Sequence, residues 1–452
     1  MNDPVVTPVP GAPNLLLGAY DVGTVGYRAE EFFVSGIASS FAGGQPEADY
    51  TTRIVALTPT DPARFSGTVI VEWLNVSGGL DAPAVWFMAH REIVRAGHAY
   101  VAVSAQRVGI EGGASLGLDM SLKTQNPQRY SALHHPNDAY AYDVFSQAGR
   151  LVREADVLGG LTPETVLAVG ESQSALFLTT YVNVVDAAAQ VYDGFLVHSR
   201  FGPAAPLDGS SIFDDAGDQR AVPFTDELRA PVQTVITETD LVGGVRAGYL
   251  AARQPDSECL RVWEIPGTAH ADNYTISVGF VDSGAAPLAD LVKAYAPTRS
   301  LMGQELPYAI NFAPQHHYVL QAAIARLVEW VRTGATPPCA PPIDVTDAAE
   351  LVLDDHGLAS GGVRTPWVDV PVARTSGLPP GDSPTANVMA LLFGSGEVFD
   401  ADTLARLYPG GSADYLGRFT DALDTAIAAG FLLAADRDEI LALAAATYPG
   451  GK

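Results

Sequence analysis

Cysteine is almost missing from this chain. Two in 452 residues cannot build a disulfide scaffold or a cysteine-based zinc site. Positive charge is scarce as well: 26 Lys and Arg stand against 52 Asp and Glu, giving a net charge of −26. A surface of that sign repels phosphate backbones and anionic headgroups, so neither nucleic acid nor a membrane is an expected partner. No apolar run approaches the ~18 residues that span a bilayer. Met1-Asn2-Asp3-Pro4 opens without the basic and apolar stretches of a secretion leader, so a cytoplasmic location is expected. Also missing are a P-loop, a Gly-x-Gly-x-x-Gly turn after a strand, His-Glu-x-x-His and Cys-x-x-Cys. Nothing calls for a cofactor or a metal, and nothing signals an oligomeric state.

What the chain does have is apolar residues at 47% against 17% charged, enough for a large core. Apolar runs alternate with amphipathic stretches, the pattern of an α/β fold whose mostly parallel sheet is covered by helices on both faces. Residues 29–37 and 49–57 read as an antiparallel pair feeding the sheet edge. Helices are expected over 82–95 and 138–153. Leu320, Ala323, Ile324, Leu327, Val328 and Val331 recur at helical spacing, and Gly334 supplies the stop. That stripe is core packing.

One segment carries chemistry. Val166-Leu167-Ala168-Val169 reads as a buried strand, stops at Gly170-Glu171-Ser172-Gln173-Ser174, and resumes as the apolar helix Ala175-Leu176-Phe177. Small residues at 170 and 174 let strand and helix approach closely, which pushes a serine hydroxyl out at the carboxyl end of a sheet. The string alone fits a turn serine capping a helix equally well. The downstream order separates the two. The β-type run Pro231–Ile236 ends in Thr237-Glu238-Thr239-Asp240-Leu241, and Leu260–Ile265 runs into Pro266-Gly267-Thr268-Ala269-His270-Ala271-Asp272. Nucleophile, acid and histidine, each at the end of a later strand, are the parts of a hydrolytic triad. A hydroxyl needs a base to take its proton, and that base needs a carboxylate to fix its tautomer. Ser172 and His270 are the expected nucleophile and base. Asp240 is the expected acid, with Glu238 as the alternative on the same turn. His198, ending another apolar run, either lines the pocket floor or is a hydrogen-bonded structural histidine.

Acyl transfer also needs two N–H groups aimed at the developing oxyanion. Gln173, directly after the nucleophile, supplies one. The second is expected from the turn Asn75-Val76-Ser77-Gly78-Gly79, through Val76 or Ser77, with Asn75 shaping the loop. An ordinary Gly-Gly turn is the other reading.

VEWLNVSGG, AVGESQSA, TETDL, RVWEIPGTAHAD, PQHHYVLQAAIARLVEWV and GGVRTPWVDVPVA together resemble the bacterial and fungal "alpha/beta hydrolase domain-containing" family with a long C-terminal extension. These segments spread over nearly the whole chain. The resemblance implies an α/β-hydrolase fold and a serine-dependent hydrolase, most simply a carboxylic ester hydrolase acting on a small molecule. The same triad serves amide, lactone or carbon–carbon bond hydrolysis or acyl transfer, and a hydrolase-fold receptor without catalysis is a third reading. Ser174 departs from the glycine usual at the end of the elbow.

The organisation follows. Residues 1–335 are expected to form the catalytic domain, 336–349 a Pro-rich linker, and 350–452 a mainly helical appendage. Lid-type insertions are expected at about 201–229 and 273–314, at the edge where ligands bind. Arg200 either pairs a substrate carboxylate or forms a structural salt bridge. Arg364 and Trp367 stand near substrate if the appendage roofs the site, or serve a dimer contact. Cys259 and Cys339 are placed to bridge or to remain two thiols.

Overall fold

The computed structural model describes residues 4–113, 119–154, 156–212, 220–381 and 388–449. Among them, nine strands build the main sheet: β1 (Val5–Val9), β2 (Tyr27–Ala38), β3 (Ala48–Pro59), β4 (Thr68–Trp73), β5 (Ala99–Val103), β6 (Thr165–Glu171), β7 (Gly194–His198), β8 (Val232–Thr237) and β9 (Leu260–Ile265). Their order is β1-β2-β3-β5-β4-β6-β7-β8-β9. The first three strands and the β3–β5 contact are antiparallel, and the rest of the sheet is parallel. Strands β4, β5, β7 and β8 are buried at every residue. Apolar runs without alternation suit strands covered on both faces.

Strand parity divides the core in two. Val69, Val71 and Trp73 of β4 face one layer, and Ile70 faces the other. The first layer lies under α1 (Ala141–Glu154) and α2 (Gln173–Thr180), where Trp73 packs against Phe145 and Phe177 with ring centroids 4.7 and 5.2 Å away. The second contains Leu320, Ile324 and Leu327 of a long helix, α3 (Gln315–Thr333), which ends at Gly334 in a left-handed conformation.

The C-terminal part belongs to this second layer. Phe419 and Leu423 of α4 (Ser412–Ala428) and Leu443 of α5 (Arg437–Thr447) share a core with Leu320 and Leu327. Arg95 meets Asp436 at 2.6 Å, and Arg91 pairs with Glu439. The Pro-rich segment is tied down too: the Ile343 N–H donates to Glu264 Oε2 at 2.7 Å, and the other face of that carboxylate takes Arg253. Cys259 and Cys339 are free thiols.

The second insertion contains a short helix, Leu288–Ala294, and two small strands, Ser300–Leu301 and Gln304–Glu305. The first has no regular element among its described residues, and 213–219 lie outside them. Among the described residues no helix is long and apolar enough to cross a membrane. Parallel pairing of β6 to β9 brings their carboxyl ends, Glu171, His198, Thr237 and Ile265, to one rim.

Candidate active site

Ser172 stands at that rim with φ 55° and ψ −115°. A residue other than glycine holds such a conformation only when its surroundings fix it. Here they do. Ser174 Oγ accepts from the Glu171 N–H and donates to the Glu171 carbonyl, both at 2.9 Å, so the hydroxyl that replaces the usual glycine ties the turn shut. The Ser172 N–H donates to the His198 carbonyl at 3.0 Å. A Cβ at Gly170 would lie 2.9 Å from Leu178, closer than packed side chains approach.

The acid comes from the turn after β8. Thr237 and Asp240 form a capping box: the Thr237 N–H donates to Asp240 Oδ2 at 2.8 Å, and the Asp240 N–H to Thr237 Oγ1 at 3.3 Å. One oxygen is thereby spent on the turn, and the other, Oδ1, lies 2.6 Å from His270 Nδ1. His270 Nε2 lies 2.8 Å from Ser172 Oγ. The Thr239 hydroxyl accepts from the His270 N–H at 3.1 Å, and Phe201 packs against the imidazole at 5.1 Å. Burial alone would lower the His270 pKa, but the Asp240 carboxylate, helped by Glu171, outweighs it and raises the imidazole above its usual value.

Glu238, two residues before Asp240, goes elsewhere. Its carboxylate accepts from the Gly267 and Gly377 N–H groups at 2.5 and 2.7 Å and from Ser376 Oγ at 2.9 Å. It clamps the histidine loop to a strap from the C-terminal part, and the structure does not bring it to His270. No Cβ fits at Gly377, because Thr239 N and Thr268 O stand 2.5 and 2.6 Å from where it would be.

The loop expected to supply an oxyanion donor is bonded to the residues on either side of the serine. Gln173 is the first residue of α2, so its N–H has no intrahelical acceptor. The Val76 N–H donates to Gln173 Oε1 at 3.2 Å, and the Ser77 N–H to Asn75 Oδ1 at 2.8 Å. Asn75 Nδ2 donates to the carbonyl and the side chain of Glu171 at 3.1 and 2.9 Å, fastening the loop to the elbow.

A cavity of about 190 Å³ opens beside His270, lined by Phe87, Met88, Ala271 and Phe280 together with Glu171 and His198. Three residues that the sequence left as candidates for substrate contact are not among those lining it. Arg200 is fully buried, and its guanidinium donates to the carbonyls of Phe201, Gly202 and Val222 between the rings of Phe224 and Tyr249. It pins the first insertion and pairs with no carboxylate among the described residues. Trp367 stacks on Tyr318 at 5.7 Å and meets Phe419 edge-on, so it fastens the appendage to α3. Arg364 is paired with Asp369 at 2.6 Å and lines a different depression.

Two features escape the sequence reading. Glu171, the residue before the serine in the elbow, reaches to 3.6 Å from His270 Nε2 with its side chain 13% exposed. Burial, which its neighbours only partly oppose, pushes this carboxyl up to about 7. His198 Nε2 lies 2.8 Å from His316 Nε2, and His316 Nδ1 lies 3.6 Å from Asp272, a second buried imidazole chain next to the first. The adjacency of Glu171 to Ser172 was a signal for the former, whereas the latter joins residues 118 apart in sequence.

A family model described as an alpha/beta hydrolase domain matches residues 4–442. The chain belongs to the alpha/beta hydrolase family. As a member of this family of hydrolases it is similar to several solved structures. One is a Klebsiella pneumoniae protein provisionally described as a dienelactone hydrolase, with 12% identity over 58% of this chain and 95% of that one and a TM-score of 0.32. An esterase of Pyrococcus furiosus shares 8% identity over 56% of this chain and 86% of its own, with a TM-score of 0.32. A thermostable esterase of Pseudomonas putida shares 14% over 49% and 66%, with a TM-score of 0.29. No curated protein matches this alpha/beta hydrolase in sequence.

Proposed function

We propose that this alpha/beta hydrolase is a serine-dependent carboxylic ester hydrolase whose triad is Ser172, His270 and Asp240. One observation carries the reading: the continuous path from Asp240 Oδ1 through His270 to Ser172 Oγ, at 2.6 and 2.8 Å. Ser172 Oγ attacks the ester carbonyl carbon, and its proton passes to His270 Nε2. Asp240 holds Nδ1–H and stabilises the imidazolium. The oxyanion is met by the Gln173 N–H and by the Val76 N–H, which exchanges its bond to the Gln173 amide for the stronger bond to a charged oxygen. Collapse of the tetrahedral intermediate breaks the bond to the alcohol, which leaves with the proton from His270. Water, deprotonated by His270, then attacks the acyl-enzyme and releases the acid and Ser172. The cavity of about 190 Å³ favours a small-molecule substrate.

The test is hydrolysis of p-nitrophenyl butyrate by the wild type and by Ser172→Ala. Loss of the nucleophile should lower kcat by about 10⁴-fold or more. Undiminished turnover in the variant would remove the serine from the reaction.

A further inference from the structure

The cavity beside His270 holds a carboxyl group and, among the described residues, no cation to balance a second one. Among the described residues that line it there is no Lys or Arg. Its two imidazoles are committed: His270 to Asp240 and Ser172, and His198 to His316. Burial, then the charges of His316 and His270, holds His198 well below the usual histidine value, so it stays neutral. Arg200, two residues beyond His198, is turned onto backbone carbonyls. A substrate carboxylate entering here would meet Glu171, which Asn75 fixes at 2.9 Å and which stands 3.6 Å from the reacting nitrogen of His270.

We propose that Glu171 is a specificity-determining residue that sorts substrates by charge, admitting esters whose buried portion is uncharged or cationic and rejecting those that carry a carboxylate there. This rests on the ester hydrolase reading above. Like charges ~5 Å apart at an effective dielectric of ~20 repel enough to change relative rates by about a hundredfold.

The discrimination follows the ionisation of Glu171. The groups facing it are His270 on the loop after β9, Asp240 on the turn after β8, Asn75 after β4 and His316 on α3, and its charge is felt by Glu72 of β4. Burial and the Asp240 carboxylate oppose ionisation, and the other three favour it, with the carboxyl placed at about 7. The group is neutral below that value and charged above it, so rejection of anionic esters strengthens as the pH rises through it.

Three small esters of similar shape test this: methyl valerate (neutral), monomethyl succinate (anionic) and β-alanine methyl ester (cationic). The readout is the ratio of kcat/KM values, in which the protonation of His270 cancels. In the wild type the valerate-to-succinate ratio should climb with pH through neutrality to about a hundredfold. Glu171→Gln should flatten that climb and cost the cationic ester about tenfold relative to valerate. A ratio that ignores pH in the wild type, which needs no variant, overturns the filter alone. Absence of any methyl valerate turnover by the wild type overturns the ester hydrolase reading, and the filter with it.

Discussion

His270 meets Asp240 at 2.6 Å, whereas His316 lies 3.6 Å from Asp272 only a few residues further round the same rim. The far nitrogen of His270 faces a hydroxyl, and that of His316 faces another imidazole. Both pairs are buried and contain the same residue types; His270 lines the cavity, and so does His198, the partner of His316. What separates them is the contact that each carboxylate makes and the partner on the other side of the ring. A carboxylate at hydrogen-bond distance outweighs desolvation and leaves His270 a stronger base than usual. His198, the imidazole at the far nitrogen of His316, has no carboxylate partner in the pair, and burial holds it well below the usual histidine value. An acid near the ring is common to both pairs, so the proposal of His270 as the base rests on the hydroxyl at its far nitrogen.

The sharpest way to break this contrast is to remove one imidazole at a time. His270→Ala should lower kcat on a p-nitrophenyl ester by about 10⁴-fold or more, while His316→Asn should keep kcat within about tenfold and alter KM. Equal losses would mean that the two chains act as one relay. The next effect comes from the paired carboxylates of the β8 turn. Asp240→Asn should cost about 10³–10⁴ in kcat with the fold intact, because the wrong tautomer is then held. Glu238→Gln should instead lower the unfolding free energy by about 1–3 kcal/mol, measured by denaturant titration, because three donors lose a charged acceptor. The smallest effect is on pH. His270 must be neutral to accept a proton, so activity falls as pH drops through its raised pKa, and the acid limb of kcat/KM should lie above ~6.5. Glu171→Gln removes one of the charges that raise it, so the limb should move to lower pH.

The same contrast explains what could be read from the chain alone. The elbow was legible because strand, glycine, serine and helix are contiguous, and the three strand ends kept their order along the sequence. The central strands and the stripe on α3 were legible from periodicity. The choice between Asp240 and Glu238 was not, because both sit on one turn, and their fates depend on Gly377, 139 residues beyond Glu238. Arg200 looked available for a substrate because Phe224 and Tyr249, the rings enclosing it, are contributed by distant segments. Strand β1 carries no alternation that burial imposes, since its residues are exposed or half-buried, so only its pairing with β2 defines it. Val76 and Ser77 could not be ranked, because a glycine-rich turn does not show which N–H its neighbours occupy.

The reaction of the protein with a fluorophosphonate, located by peptide mass spectrometry, tests the central claim most directly. A single adduct on Ser172, formed about a thousandfold more slowly in Asp240→Asn, is the predicted result. An adduct on another residue, or an unmodified Ser172 in folded protein that still hydrolyses esters, would contradict it.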